Sequence, residues 1–231
     1  MSPETGVRAA NRARMEERIL RLAGQHLARD GAAALSLRAI ARDLGVASSA
    51  VYRYVDSRDE LLTRLIVAAY DSLGDAVDAA LAGVDDPAHQ FGTIARTLRT
   101  WALAHPEQYA LIYGSPVPGY AAPSDRTNPA GTRITTRLLQ ALVALPVRAA
   151  PAVAPLVGTG GIGALLDDAR VEALGIGALE LTLGLAAWDM VRGALTSEVF
   201  GQYGAAAFSD PAAHFEVIVA LAGALVGIDA G

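Results

Sequence analysis

The chain has 231 residues, of which 52% are hydrophobic, enough for one or two domains with a real core. It contains no cysteine, which excludes disulfide bonds, zinc–cysteine sites and thiol nucleophiles. The formal net charge of −5 argues weakly against nucleic-acid binding by the chain as a whole.

The charge is distributed unevenly along the chain. Residues 1–64 hold eleven arginines against eight acidic residues, whereas the remaining residues hold eight arginines against sixteen acidic residues. A basic head on an acidic body is typical of a regulator with one DNA-binding end. The N-terminal residues are polar and rich in arginine, unlike a secretory signal, and we expect a cytoplasmic protein.

The N-terminal residues 1–11 include Pro3 and few apolar side chains, which predicts a disordered arm. Its arginines could reach a DNA groove or backbone, although a solvated tail is the simpler interpretation. Apolar residues at helical spacing then predict a helix over about residues 11–29. His26 lies in the inner stripe of that helix and is interpreted as a packed core residue rather than a ligand.

The stretch from Ser36 to Leu62 has the pattern of two short helices joined by a glycine turn. Ser36 is a favourable N-cap, and apolar residues within 37–44 recur at i, i+3, i+4 and i+7. Gly45 follows where a helix commonly ends in a left-handed residue. A second helix is predicted over 47–54. Such a pair is a helix-turn-helix, whose second helix enters the DNA major groove.

The residue types of this stretch suit contact with a duplex. Small side chains at the start of the second helix let its backbone approach base edges, and tyrosine hydroxyls can bond to phosphate. Ser57 to Glu60 form a capping box, opening a long helix to about Ala82 whose N-terminal N–H groups can face another phosphate. The predicted DNA-contacting residues are Ser36, Arg38, Ala47, Ser48, Ser49, Tyr52, Tyr54 and Arg58.

At these residues the chain resembles a known family. LSLRAIARDLGVASSAVYRYVDSRDELL is similar to the DNA-binding region of TetR-family transcriptional regulators. The family pattern is matched by Gly45-Val46, Tyr52, Tyr54 and the segment 57–61, whereas Ala47 stands where the family often has serine. The resemblance implies a homodimer that binds a palindromic double-stranded DNA operator, most often as a repressor, and is released by a small-molecule effector.

Beyond residue 86 the chain reads as helices broken by proline and glycine, and no strand is required. Two apolar runs, 173–187 and 215–228, are interrupted or too short for the roughly 20 residues of a membrane span, so no membrane association is predicted. A loop is predicted over 114–128 and a flexible connection over 146–163. Helices are predicted over 88–104, 107–113, 132–145, 169–203 and 211–227.

The predicted fold class is therefore all-α, in two domains. A three-helix helix-turn-helix DNA-binding domain occupies residues 1–58, and a helical ligand-binding and dimerisation domain occupies residues 59–231. Small residues in the last two helices permit close helix approach, so two subunits could pair there as a four-helix bundle. Alternatively, those two helices form part of the core of a monomer.

The segment HPEQYALIYGSPVPGY, and Trp188 followed by Arg192-Gly193, resemble the C-terminal domain of one TetR subgroup, named for a Trp-His-Gly pattern. Arg192 stands at the histidine of that pattern. The resemblance implies a small-molecule pocket, although aromatic residues on helical stripes usually pack cores, and Asp189 can simply pair with Arg192. Candidate ligand-binding residues are Trp101, Tyr109, Tyr113, Glu180, Trp188 and Arg192.

The sequence offers no case for catalysis. The four histidines have no metal-type spacing, and no nucleophile or phosphate-loop motif is present. We therefore expect no cofactor, no metal and no enzymatic activity. A second hypothesis stays open: a helical small-molecule-binding protein or enzyme whose head only resembles a helix-turn-helix. The sequence also leaves open whether a regulator of this kind represses or activates.

Overall fold

The computed structural model describes residues 3–149, 154–157, 161–204 and 206–228, and every regular element in those ranges is helical, as predicted. The chain forms two compact units, each built from two stretches of sequence. Unit 1 comprises the described part of Met1–Ser72 together with His105–Gly131. Unit 2 comprises Leu73–Ala104 and the described part of Thr132–Gly231. The sequence predicts a single domain boundary, after residue 58.

Helix α1 spans Pro3–Asp30, so the prediction of a disordered arm is wrong for residues 3–11. Residues 7–14 are exposed, but they are mostly alanine, arginine and asparagine without a helix breaker. Pro3 sits in the first turn, where its missing N–H needs no partner. The helix ends at Gly31, whose φ of 76° lies in the left-handed region.

The helix-turn-helix forms where it was predicted. After a short 3-10 turn at Ala32–Ala34, α2 spans Leu37–Leu44 and α3 spans Ser48–Val51. The Ser36 hydroxyl accepts a hydrogen bond from the Ala39 N–H at 3.5 Å, and Gly45 ends α2 with a φ of 70°. Helix α3 is one turn long and does not reach Tyr54, because residues 52–54 turn the chain and bring Val55 into the core.

The core of unit 1 joins α1, α2 and α3 to the first turns of α4, which spans Arg58–Leu81. The buried residues of this core are Ile19, Ala23, Leu35, Leu37, Ile40, Ala41, Leu44, Val51, Val55, Leu61, Leu62 and Leu65.

Helices α5 and α6 span Pro87–Ala104 and Pro106–Tyr113, close to the predicted ranges.

The predicted loop over 114–128 is wrong at its end, because α7 spans Ser124–Gly131. Its proline and glycine argued against a helix, but Thr127 and Ala130 lie three residues apart on one face and are both buried. Tertiary packing thus outweighs local preference here. Helix α8 follows at Arg133–Val143, within the predicted range.

The predicted connection over 146–163 contains the short helix α9 (Ala154–Val157), while its residues 150–153 and 158–160 lie outside the described residues. Helices α10 (Gly163–Leu166) and α11 (Ala169–Glu172) come next. The prediction of one helix over 169–203 is wrong, because Gly175 takes a φ of 65° and separates α11 from α12. Helices α12 and α13 span Ala178–Val199 and Pro211–Leu225.

Unit 2 is a helical bundle in which α5, α8, α12 and α13 pack against one another. Apolar residues of all four helices are fully buried, among them Leu98, Leu138, Val191 and Phe215. Gly184 of α12 allows a close approach to α8, since a Cβ at that position would overlap a methyl group of Leu142. No described helix combines the length and apolarity needed to cross a bilayer.

Candidate DNA-binding surface

The surface of the helix-turn-helix is positioned by side chains on its opposite face. Ile40 and Ala41 of α2 and Val51 of α3 are almost completely buried, which fixes both helices against α1 and α4. The backbone of Val46 bonds to the Ala41 carbonyl at 3.0 Å and closes the turn between them. The outer residues of α2 and α3 are therefore presented on a rigid support.

Several predicted contact residues lie on the outer face of this motif. Arg38 and Ser49 are exposed, Ser48 is half-buried, and the Tyr52 side chain is 44% exposed. Ala47 is the N-cap of α3 and provides no side-chain capping bond. The structure thus places small polar groups at the start of the one-turn helix α3 and a tyrosine at its C-cap.

Two exposed arginines beside them were not among the predicted contacts. Arg42 follows Arg38 one turn later on α2; its side chain is 78% exposed and reaches only Asp43, at 3.8 Å. Arg53 is exposed between Tyr52 and Tyr54, with no ion pair in the described part of the chain. The sequence could have predicted Arg42 as a contact, because it follows Arg38 by one helical turn. No helical spacing in the sequence singles out Arg53, which lies between Tyr52 and Tyr54.

Three predicted contacts have partners within the fold. The Ser36 hydroxyl caps α2. The Tyr54 ring packs against the core and lies under the Arg12 guanidinium, 5.5 Å from its centroid, in a cation–π contact. Arg58 donates hydrogen bonds to the carbonyl groups of Ala32 and Ala33 at 3.0 and 3.3 Å. These side chains hold the motif together. The capping role of Ser36 was predicted from the sequence, whereas the structural roles of Tyr54 and Arg58 were not.

The predicted capping box at the start of α4 forms in one direction only. The Glu60 N–H donates to the Ser57 hydroxyl at 3.0 Å. The Glu60 carboxylate binds Arg64, one turn along α4, at 2.7 Å and Arg126 of α7 instead of returning to Ser57. The hydrogen bond from Arg126 lowers the pKa of Glu60; burial opposes this effect and Arg64 adds to it.

The lowered pKa of Glu60 predicts a pH dependence of stability. A carboxyl group with a depressed folded-state pKa stabilises the fold above its unfolded pKa of about 4.3, and that contribution is lost as the pH falls through the folded pKa. Glu60→Gln should therefore lose about 1 kcal/mol of unfolding free energy at pH 7 and should lose less than the parent on acidification below pH ~4.3.

Urea denaturation of both proteins at pH 7 and at about pH 3.5 would measure this difference, since that interval spans the unfolded pKa. The matched control is Asp56→Asn, which neutralises an exposed carboxylate directly before the capping serine. Parallel pH profiles for Glu60→Gln and the parent would contradict the assignment.

His26 is buried, as predicted, and its ring ties α1 to α2. Its Nε2 atom lies 2.7 Å from a carboxylate oxygen of Asp43. The hydrogen bond from His26 holds the pKa of Asp43 below its usual value, and the charges of His26, Arg42 and Arg29 act in the same direction. The contact supports the position of the outer face of α2. No group of metal-ligating side chains occurs among the described residues.

The six predicted ligand-binding residues are divided between the two units. Tyr109 and Tyr113 belong to unit 1, where Tyr109 is buried and Tyr113 packs edge-on against Tyr70 with ring centroids 6.2 Å apart. In unit 2, Trp101 and Trp188 are buried. The remaining two, Glu180 and Arg192, are half-buried on α12.

The two charged candidates on α12 have structural explanations. Arg192 pairs with Asp189, the alternative considered from the sequence. The Glu180 carboxylate lies against Gly177, the N-cap of α12, where a negative charge complements the helix dipole.

Comparison with known proteins identifies this architecture. Residues 19–65 match the family described as "Bacterial regulatory proteins, tetR family", and residues 91–222 match "Tetracyclin repressor-like, C-terminal domain". The second match alone covers more than half of the chain. The chain belongs to the TetR family of transcriptional regulators. The first match includes the whole helix-turn-helix and the exposed arginines around it.

Curated relatives of this TetR-family protein are regulators and not enzymes. The HTH-type transcriptional regulator Rv1816 of Mycobacterium tuberculosis (strain H37Rv) is 41% identical over 226 residues, covering 91% of this chain and 92% of the relative. The regulator Mb1846 of Mycobacterium bovis gives the same values. This protein is accordingly a transcriptional regulator with a DNA-binding domain.

Solved structures agree with the TetR-family fold. The crystal structure of the protein SCO4313 superposes with a TM-score of 0.77 at 33% identity, covering 93% of this chain and 97% of that one. The TetR-family regulator PfmR of Thermus thermophilus superposes with a TM-score of 0.53 at 18% identity, covering 92% and 100% of the two chains. The second likeness concerns the fold alone.

Proposed function

We propose that this TetR-family regulator is a cytoplasmic homodimer that binds a palindromic operator, represses transcription and is released by a small molecule. The observation that carries the proposal is the exposed surface of α2 and α3. There, arginines with little or no internal pairing surround the small polar residues that begin a rigidly supported helix. Such a surface suits a duplex better than it suits a metabolite.

In this proposal the predicted contact residues have three different roles in DNA recognition. Arg38, Arg42 and Arg53 neutralise phosphates on either side of the major groove. Ala47, Ser48 and Ser49 meet base edges or phosphates at the start of α3, where the backbone approaches closely. Tyr52 makes such a contact from the C-cap of the same helix. Ser36, Tyr54 and Arg58 act mainly by holding this surface in place, because each has a partner within the fold.

Dimerisation through α12 and α13 is supported by apolar side chains that face water in the single chain. On α13, Val217 is 56% and Leu221 is 54% exposed, and they lie one turn apart. Ala224 continues the stripe, and α12 adds exposed Met190 and Gly193. A second copy of the chain would remove this surface from water. Two recognition helices would then reach successive major grooves about 34–36 Å apart.

Release by an effector requires that the effector bind one conformation of the dimer more tightly than the other. A differential binding free energy of about 1–3 kcal/mol is typical of such coupling. An effector that moves α4 would alter the spacing of the two recognition helices.

The deciding experiment is recovery of genomic DNA fragments by the purified protein, followed by fluorescence anisotropy with the fragment retained most strongly. We expect an inverted repeat, nanomolar affinity at physiological salt and two protomers per site. Reporter expression from the promoter carrying that repeat should rise when the regulator is deleted. Absence of any preferred fragment at low salt would refute operator binding, and falling expression after deletion would indicate an activator.

A further inference from the structure

Unit 1 contains a cavity of about 250 Å³ between α4, α6, the segment 114–122 and the start of α7. Its walls include apolar side chains from two helices, Ile66 of α4 and Leu111 and Ile112 of α6. Tyr70 and Tyr120 contribute aromatic rings. None of the residues that line it carries a charge. The volume lies just below the usual range for small-molecule pockets, so a small occupant would fit.

Four hydroxyl groups line this cavity, and those of Tyr70, Tyr120 and Thr127 donate their hydrogens within the fold, whereas the fourth belongs to the exposed Ser115. Thr63 donates to the Asp59 carbonyl at 2.9 Å, so in its 2.9 Å contact with Tyr120 the tyrosine must be the donor. The Thr127 hydroxyl donates to the Pro123 carbonyl at 2.9 Å. Each oxygen keeps lone pairs after donating its hydrogen. Tyr120 and Thr127 therefore offer acceptors to the cavity.

The lack of charged lining residues restricts the occupant further. An ionised molecule placed there would lose the part of its hydration that faces the walls without gaining an opposite charge, which is costly. The apolar walls and tyrosine rings favour an apolar or aromatic body, which stacks well on aromatic faces. The two acceptor oxygens favour one hydroxyl or N–H donor on that body.

We propose that this cavity is the effector site, and that the effector is a small, neutral, largely apolar molecule with a hydrogen-bond donor. The proposal rests on the ligand-responsive function proposed above. Its location differs from the residues proposed from sequence, since none of those six lines this cavity.

The contacts of Tyr120 connect the cavity to the start of α4. Thr63, its partner, is almost completely buried and is bonded in turn to the first turn of α4 through Asp59. Arg126 of α7 holds Glu60 of the same turn. A ligand donor bound to the Tyr120 oxygen acts on a hydrogen-bonded chain that ends directly after the helix-turn-helix. Ligand binding and the conformation of this turn are thereby linked.

The test uses three probes of similar size: phenol, its methyl ether anisole, which lacks the donor, and benzoate, which is charged. Binding to the full-length protein is measured by ligand-observed NMR titration. Phenol should bind about 3- to 10-fold more tightly than anisole, which is the effect of one ordinary hydrogen bond, and benzoate should bind least. Equal binding of all three probes, or preference for benzoate, would overturn the proposed ligand class.

Variants locate the binding. Tyr120→Phe and Thr127→Val should remove most of the preference for phenol over anisole, while Tyr203→Phe, an exposed tyrosine of unit 2, should leave it unchanged. Ala122→Trp, which fills the cavity from its exposed rim, should block both probes. Circular dichroism verifies folding of each variant. Unchanged phenol binding in Ala122→Trp would overturn the location.

Operator affinity with and without saturating phenol separates this proposal from the function on which it rests. Reduced operator affinity with phenol, lost in Ala122→Trp, is the expected result. Phenol binding in the cavity without any effect on a functioning operator complex would refute the effector role. Failure to find an operator at all would refute the proposed function while leaving the cavity assignment standing on the probe data.

Discussion

Replacing Val217 and Leu221 together by aspartate is expected to give a monomer whose operator affinity is at least ~100-fold lower. The two side chains are more than half exposed in the single chain and lie one turn apart on α13. Two carboxylates per subunit would lose hydration at a symmetric interface without gaining partners. A monomer also loses the avidity of two linked recognition helices, which commonly contributes about 10²–10⁴ in affinity.

Sedimentation velocity would give the oligomeric state of the double variant, and fluorescence anisotropy its operator affinity. The matched control is Ala212→Asp, which places a carboxylate in the first turn of the same helix, away from the Val217–Leu221 stripe. It should leave the dimer intact. A double variant that stays dimeric at micromolar concentration would show that α13 is not the interface.

Replacing Arg42 and Arg53 together by alanine should weaken operator binding strongly and make it less sensitive to salt. Each arginine is exposed and makes at most a loose internal ion pair, so its removal takes away charge without removing a contact of the fold. Each lost phosphate contact reduces the slope of log K against log salt concentration by about 0.9. A dimer that loses two contacts per subunit should thus show a slope shallower by about 3–4.

Anisotropy titrations between about 50 and 200 mM salt would measure that slope. Arg148→Ala is the matched control, because it removes an exposed arginine of unit 2 without touching the helix-turn-helix. Arg58→Ala is less informative, since its bonds to the 3-10 turn make a loss of stability and a loss of DNA contact hard to separate. An unchanged salt slope in the double variant would exclude Arg42 and Arg53 as phosphate contacts.

The parts of the fold that the sequence predicted well are those with local determinants. Helix α2 is predicted by the apolar spacing within its eight residues. Its start is predicted by the N-cap Ser36 and its end by the C-cap Gly45, and both caps bond to residues close in sequence. The cap of α4 by Ser57 is equally local. Such interactions span three or four residues, so a single chain shows them directly.

The errors arose where apolar spacing and turn residues in the sequence were poor guides to the structure. The exposed start of α1 is helical although its described side chains lie in water, and α7 forms from a segment rich in turn residues because two of its side chains are buried. The break between α11 and α12 was missed because nothing in sequence shows that Gly175 takes a left-handed conformation. Glycine tolerates a helix interior at a cost of only about 1 kcal/mol, so its presence alone does not predict an end.

The sequence by itself determined the family resemblance, the all-helical class and the helix-turn-helix from which the DNA contacts are proposed, because each depends on spacing within one or two turns. Only the tertiary structure decided which polar side chains form hydrogen bonds and ion pairs within the fold. Arg58 meets carbonyl groups 25 and 26 residues away, and Glu60 meets Arg126, 66 residues away. The cavity beside Tyr120 likewise combines three helices and a loop. Pairings over such distances depend on how the helices pack, and no periodicity along the chain encodes them.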